Sequence, residues 1–514
     1  MKRLLLNALC ILTTCLLVIS CGKDEEQTPV AGGPKMNSFS PLSGSVGTEI
    51  WITGQNFGAT KADNIVKIGS TTAPITSAST TEIFVTVPEG ATTGKVSVTV
   101  DGKTITGGTF TVLEETEKAG ITLNKSTFDL FSLDSETITV TLTGNVSAED
   151  IVWSSDDESV VIVDENGMIT GVSEGSTLVT AFINEEVSTN CIVNVSHSVF
   201  AVGYEEINGI PVAKVWKNGV ATNLTDGSSF GAATSIYVDG TDIYACGIVD
   251  KGLPAAVVWK NGDILYELTD GSKYANAQSI NIYNGDVYVI GNEELGVDNI
   301  SNATIWKNGD SFATLTDGLN VNERSSGEDI FVNETGIYAV GYEESELHIN
   351  GTPKLWENST QINLTDEAFH GRAYSVYAVG SDVYAAGYEE NENGIWVAKY
   401  WENGEVTSLS DGLQNAEAQS IFVLGNDVYA AGSYYDGQGE LQQAVVWKNG
   451  TPTNQAAMGS GASSVYVDGG DVYVGGLISE GELSKATVWK NGEAMNLELT
   501  EGAGSSVVFS IFIK

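Results

Sequence analysis

The sequence predicts an all-β chain: two immunoglobulin-like β-sandwiches followed by a seven-bladed β-propeller closed by pairing of its N- and C-terminal strands. Three observations predict it. Short runs of alternating apolar and polar residues, punctuated by 58 Gly against only 9 Pro, fill the chain and suit strands joined by tight turns. A Trp followed by a turn tripeptide recurs seven times in the C-terminal part, at Trp216, Trp259, Trp306, Trp356, Trp401, Trp447 and Trp489. The array begins and ends with partial repeats that complete each other.

Composition bounds what the chain does. With 67 Asp and Glu against 24 Lys and Arg, the formal charge is −43. An acidic field of that size repels polyanions and has no basic stripe to track phosphates, which excludes a general nucleic-acid binder. Hydrophobic residues at 42% suffice to build several cores, which excludes global disorder.

The N-terminus reads as an address. Lys2 and Arg3 precede an apolar run from Leu4 to Ile19, too short for a comfortable membrane span, so residues 1–20 are expected to be a secretory signal. Leu17-Val18-Ile19-Ser20-Cys21 resembles a bacterial lipobox, which implies lipidation at Cys21 and a membrane-anchored chain. Lys23-Asp24-Glu25-Glu26 opens a tether over residues 21–33. It resembles the acidic export signal of Bacteroidetes lipoproteins and implies the extracellular face of the outer membrane. Only Cys191 and Cys246 remain beyond Cys21. They fall in different predicted domains, so no disulfide framework is expected.

Residues 34–113 carry short alternating strands such as Glu49-Ile50-Trp51-Ile52-Thr53 and Lys95-Val96-Ser97-Val98-Thr99-Val100, each with one face to bury. Ser38-Phe39-Ser40-Pro41-Leu42-Ser43-Gly44-Ser45-Val46-Gly47-Thr48, followed by Gly54-Gln55-Asn56-Phe57-Gly58, resembles the IPT/TIG family. That resemblance implies a spacer or binding module and no catalysis. Residues 119–196 repeat the pattern, and Val152-Trp153-Ser154-Ser155 with Ile169-Thr170-Gly171-Val172 is similar to the bacterial immunoglobulin-like group 2 domain. Asp164-Glu165-Asn166-Gly167 reads as a hairpin turn before a calcium loop, which needs more oxygen ligands.

Residues 197–514 form the repeat array. Each period of 42 to 50 residues holds four strands: a (Ser-Ile-Tyr-Val), b (Asp-Val-Tyr-Ala-Ala-Gly), c (ending in the Trp) and d (ending at Leu-Thr-Asp). Four strands in about 45 residues is one propeller blade. Val199-Phe200-Ala201-Val202-Gly203 is a b strand without its a, and Ser510-Ile511-Phe512-Ile513 an a strand without its b. Pairing the two closes the ring and removes the free edges of an open solenoid. The copies resemble a propeller repeat of Bacteroidetes surface proteins and lack WD, sialidase and kelch signatures. The seven Trp read as packing between blades, and the Asp of Leu-Thr-Asp-Gly as a turn residue.

Function is expected on the rim that carries the long b–c and d–a loops, because the a–b and c–d turns are short and nearly invariant. The b–c loops are expected to hold Tyr204-Glu205-Glu206, Tyr342-Glu343-Glu344, Tyr388-Glu389-Glu390 and Tyr434-Tyr435-Asp436. Such aromatics stack on sugar rings while carboxylates accept their hydroxyls; the same set suits a cationic protein patch, and a merely solvated acidic rim is the bland alternative. No catalytic motif, metal site or cofactor site is legible, so an enzyme is not expected. The competing readings are a polysaccharide-active hydrolase or lyase, with His348 and His370 sharing a site, and a structural partner of an outer-membrane complex. The chain is expected to be a monomer that takes an extracellular glycan or protein ligand.

Overall fold

The computed structural model describes residues 32–114, 118–295, 300–315, 324–344, 351–366, 369–436, 441–454 and 459–514. Cys21, the acidic run after it and His348 lie outside them. Among the described residues no helix is long and apolar enough to cross a membrane.

The first unit is a sandwich of a four-stranded and a five-stranded sheet. The strand Gly94–Val100 buries Val96, Val98 and Val100 and leaves alternate residues outward, which is the period-two pattern read from the sequence. It turns into Lys103–Val112 through Asp101 and Gly102, both at positive φ (48° and 75°), as a two-residue hairpin of primed type requires. Phe39, Ile50, Ile52, Val66, Ile83 and Phe110 close the core between the sheets.

The second unit contains the group 2 sandwich and the propeller. In the sandwich, Thr127–Phe131 pairs in parallel with Val187–Ser196, beside Gly175–Asn184 and Val152–Ser155, over a core of Phe128, Ile169, Val179 and Val193. Asp164 Oδ1 accepts the backbone N–H groups of Asn166 and Met168, at 2.9 and 2.8 Å, and Gly167 stands at φ 78°. The carboxylate is thus taken up by its turn, and those donors hold its pKa below the ordinary value, Met168 foremost.

Seven four-stranded sheets follow, each in the order a-b-c-d. Blades 1 to 6 start with inner strands Gly231–Asp239, Ala275–Tyr283, Arg324–Val332, Gly371–Val379, Ala416–Leu424 and Ser460–Asp468. Blade 7 takes its a strand, Ser506–Ile513, from the C-terminus and Val199–Ile207, Ile210–Lys217 and Val220–Asn223 from the start of the array. The closing register is Val199↔Ile513, Phe200↔Phe512, Ala201↔Ile511. Each a strand touches the a strands of both neighbouring blades, so the inner strands form an unbroken ring. The seven Trp are at most 2% exposed and lie in the cores between blades.

The repeated turn explains the repeated tetrapeptide. Asn261 and Gly262 take φ of 52° and 95°, a conformation Asn and Gly adopt with least strain. Asn261 Oδ1 accepts the Ile243 N–H at 2.8 Å while its Nδ2 donates to Asp242 at 2.9 Å. Lys260 pairs with the other oxygen of Asp242 at 2.7 Å and covers the Tyr244 ring at 4.9 Å. The arrangement recurs at Lys307, Lys448 and Lys490; in blade 4, where Glu402 replaces the Lys, Tyr384 donates to it instead at 3.0 Å.

The group 2 sandwich docks on this turn rim. Ser198 and Lys514 exchange backbone hydrogen bonds of 2.9 and 3.0 Å, and Ser132 binds both. Lys217 pairs with Asp134 at 2.6 Å, and His197 lies between Glu174 and Asp468, at 3.0 and 3.6 Å. The opposite rim, where the long loops emerge, is left uncovered by this sandwich.

Candidate ligand site at the loop-rim mouth of the propeller

The inner strands build the central channel in layers. Nearest the turn rim, Phe331, Tyr377, Phe422, Tyr466, Phe512 and Tyr237 form a chain of neighbouring rings with centroids 4.6 to 5.3 Å apart. In blade 2 the same position is Asn281, 7% exposed, whose buried Oδ1 has no partner among the described residues.

The next layer is serine. Ser235, Ser375, Ser420 and Ser464 each accept a backbone N–H from the following blade at 3.1 to 3.3 Å, or, for Ser235, that of Ile280 in blade 2. Blade 3 departs from the pattern. There Asp329 takes a hydrogen bond from Ser279 (2.6 Å) on one side and from Ser375 (2.9 Å) and the Val376 N–H (2.9 Å) on the other. Burial nevertheless raises its pKa above the ordinary carboxyl value.

Above the serines, toward the loop rim, every a strand carries a β-bulge. Pairing with strand b skips one residue in each blade: Thr234, Gln278, Glu328, Tyr374, Gln419, Ser463 and Phe509. A bulge breaks the ladder and re-aims the side chain it carries, which is why such kinks recur beside binding sites. These seven residues include hydroxyl, amide, carboxyl and aromatic groups, and neighbours meet: Gln278 Nε2 donates to Glu328 at 3.2 Å.

At this level a cleft of about 430 Å³ opens across blades 2 to 4. Its walls include Tyr274, Asn276, Gln278, Asn292, Arg324, Glu328, Tyr342, Glu344, Arg372 and Tyr374. The Arg372 guanidinium lies 4.2 Å over the Tyr342 ring, a cation–π contact that fixes it as a flat fork. Ser326 donates to Glu328 at 2.6 Å, yet burial raises the Glu328 pKa, so this carboxyl takes up a proton more readily than an exposed one. Burial also pushes the Tyr374 hydroxyl well up, which keeps it neutral.

Beside the cleft stands an aromatic cluster. Trp396 stacks on Tyr388 with centroids 4.7 Å apart and meets Tyr435 edge-on at 6.1 Å. Tyr435 donates to Glu417, which also accepts from Gln419 at 2.7 Å. Tyr388 is 4% exposed, and burial lifts its pKa to about 12.

The Tyr-Glu-Glu segments are not loops. Strand b runs to Ile207, Glu344, Glu390 and Tyr435 in blades 7, 3, 4 and 5, so the segments are its last residues, still paired with strand c. Their middle Glu faces a Lys of strand c. Glu205, fully buried, pairs with Lys214 and accepts from the Thr500 N–H and hydroxyl; Glu389 pairs with Lys399, and Glu343 with Lys354 at 3.5 Å. The acidic rim is thus partly neutralised from within. Tyr204 lies 5.8 Å from Phe509, Tyr434 meets Trp447 edge-on at 5.9 Å, and Glu206, Glu344, Glu390 and Asp436 stay partly exposed. Only Tyr342 and Glu344 of the segments line the cleft. His370 precedes the a strand of blade 4, and with His348 outside the described residues their pairing has no geometry to report.

Fold and cleft together define a propeller with one elaborated mouth, which follows two immunoglobulin-like domains in the chain. Residues 34–112 match the IPT/TIG domain family and residues 134–193 the bacterial Ig-like domain (group 2) family. No curated protein matches the chain. Among solved structures it is similar to an auxiliary nutrient binding protein from Bacteroides ovatus ATCC 8483 (13% identity, 86% of this chain and 95% of that one, TM-score 0.26). Another auxiliary nutrient binding protein, from Bacteroides thetaiotaomicron VPI-5482, matches at 10% identity over 94% and 95% of the two chains, TM-score 0.22. The β-propeller domain of the Trilobed protease from Pyrococcus furiosus matches at 14% identity, 64% of this chain and 96% of that one, TM-score 0.33. Likenesses this distant say nothing about the ligand.

Proposed function

We propose that this chain is a lipid-anchored recognition protein of the outer cell surface, which binds a glycan at the loop-rim mouth of its propeller. One observation carries the reading: a cleft lined by tyrosines, amides and a stacked guanidinium opens where the inner strands bulge. Aromatic faces with fixed polar groups between them are what sugar rings require, apolar faces ringed by hydroxyls. The sandwich docked on the turn rim supports it, since a stalk there leaves the opposite mouth free for ligand. The lipid at Cys21 would hold the stalk to the membrane.

A glycan array probed with the full chain tests this reading. Saturable binding that disappears in Tyr274→Ala and weakens in Trp396→Ala is the expected result; a protein that binds no glycan refutes it. Glu328 favours one competing reading, a polysaccharide hydrolase, because a carboxyl with a raised pKa in a cleft serves as a general acid. Polysaccharide cleaved by the wild type and left intact by Glu328→Gln would establish that alternative.

A further inference from the structure

The sequence holds three arginines, Arg3, Arg324 and Arg372, and the latter two line the same cleft of a chain with 67 acidic residues. Lysines within the blade strands are matched to carboxylates within 4 Å, such as Lys214, Lys260 and Lys399. The Arg372 side chain makes no hydrogen bond or ion pair among the described residues, and its buried Nε is unpartnered. Arg324, exposed at the start of its strand, has no ion pair among them either. Leaving a buried guanidinium donor unmade is costly unless a ligand makes it.

The surrounding amides add donors. Asn276 Oδ1 accepts the Asn292 N–H at 3.0 Å and Asn292 Oδ1 the Gly327 N–H at 2.9 Å. Each Asn thus spends its acceptor on the protein, and neither Nδ2 has a partner among the described residues. Among the described residues the cleft carboxylates Glu328 and Glu344 form no ion pair with either arginine; Glu328 attracts the Arg372 charge across the cleft but is hydrogen-bonded by Ser326 and Gln278. Among the described residues, the two arginines and two amides of the cleft thus present donors that no ion pair or hydrogen bond takes up.

Resting on the glycan reading above, we propose that the cleft takes a carboxylate-bearing sugar, a uronate unit of an acidic polysaccharide. Its carboxylate meets the planar fork of Arg372, with Arg324 as a second cation, and its ring lies against Tyr274, 38% exposed at the cleft edge. A lone carboxylate would satisfy the arginines but leave Tyr274 and the amides unused, which favours a sugar acid over an acidic peptide.

The test measures binding of the full chain to oligogalacturonate and oligoglucuronate, to the same oligomers with their carboxyls reduced, and to oligoglutamate. The acidic sugars should bind about 10- to 100-fold more tightly than their reduced forms, as expected for a charge-assisted bidentate contact. Arg372→Lys, which keeps the charge and loses the fork, should recover only part of the affinity lost in Arg372→Ala. Arg324→Ala, at an exposed position, gives the same readout without risk to folding. Equal binding of reduced and acidic oligomers overturns the uronate assignment and leaves the glycan reading standing. Preference for oligoglutamate overturns it in favour of a protein ligand, and binding of no sugar at all defeats both.

Discussion

The two halves of each blade are built by opposite rules. Toward the turn rim, the blades repeat the same solutions: an Asn-Gly turn (Asn-Ser in blade 3), a Lys–Asp pair over a tyrosine or its substitute, a buried Trp and, in every blade but blade 2, a ring in the channel floor. Toward the loop rim, the bulged residue varies from blade to blade, running Thr234, Gln278, Glu328, Tyr374, Gln419, Ser463 and Phe509. Repetition marks what every blade must do to stack and close. Variation at a geometrically special position marks what one mouth does with a ligand.

Breaking the repeated half should cost most. Trp447→Ala removes a fully buried ring between blades and should destabilise the propeller by about 3–5 kcal/mol, read from its denaturant transition. Asn261→Ala loses a side chain that caps strand b and bonds Asp242, and puts Ala at φ 52°; a loss of about 1–3 kcal/mol is expected. Losses below a few tenths in both would mean the repeated residues do not hold the ring.

Asp329 sharpens the comparison, since it is the exception within the repeated layer. Its folded pKa is raised, so the folded chain binds its proton more tightly than the unfolded one. Stability from this group is present below its ordinary value of 3.8 and is lost as pH rises through the raised folded value. Asp329→Ser restores the serine of the other blades and removes that titration. The melting temperature of Asp329→Ser relative to wild type should therefore increase from pH 4 to pH 8; a difference that stays flat contradicts the assignment. The smallest effect belongs to the variable half: Tyr374→Phe should change stability by no more than about 0.5 kcal/mol while lowering ligand affinity.

The closed ring was legible because the Trp turn recurs and because the two orphan strands, near Val199 and Ile511, are complementary. The loop-rim half was legible only in part. The Tyr-Glu-Glu segments read as loops because they follow the repeated Gly of strand b, and polar runs after Gly usually leave a sheet. A signal against that stood two residues before the Trp: Lys214, Lys354 and Lys399 occur in the same three blades as Glu205, Glu343 and Glu389, and each couple is an ion pair across strands b and c. The bulge was also written in the sequence, as the changing residue just before Ser-Ile-Tyr, but alternation alone gives no reason to single it out. Arg324 and Arg372, sparse as arginine is, lie 48 residues apart (372 − 324) and come together only through the ring, which sets the a strands of blades 3 and 4 side by side.

Whether one mouth of the propeller recognises while the other supports is decided by measuring glycan binding and melting together in Tyr274→Ala/Tyr374→Phe. The double variant should melt within a few degrees of wild type and no longer bind the glycans that wild type retains. Unchanged binding in a variant that melts normally would contradict it and move recognition away from this mouth.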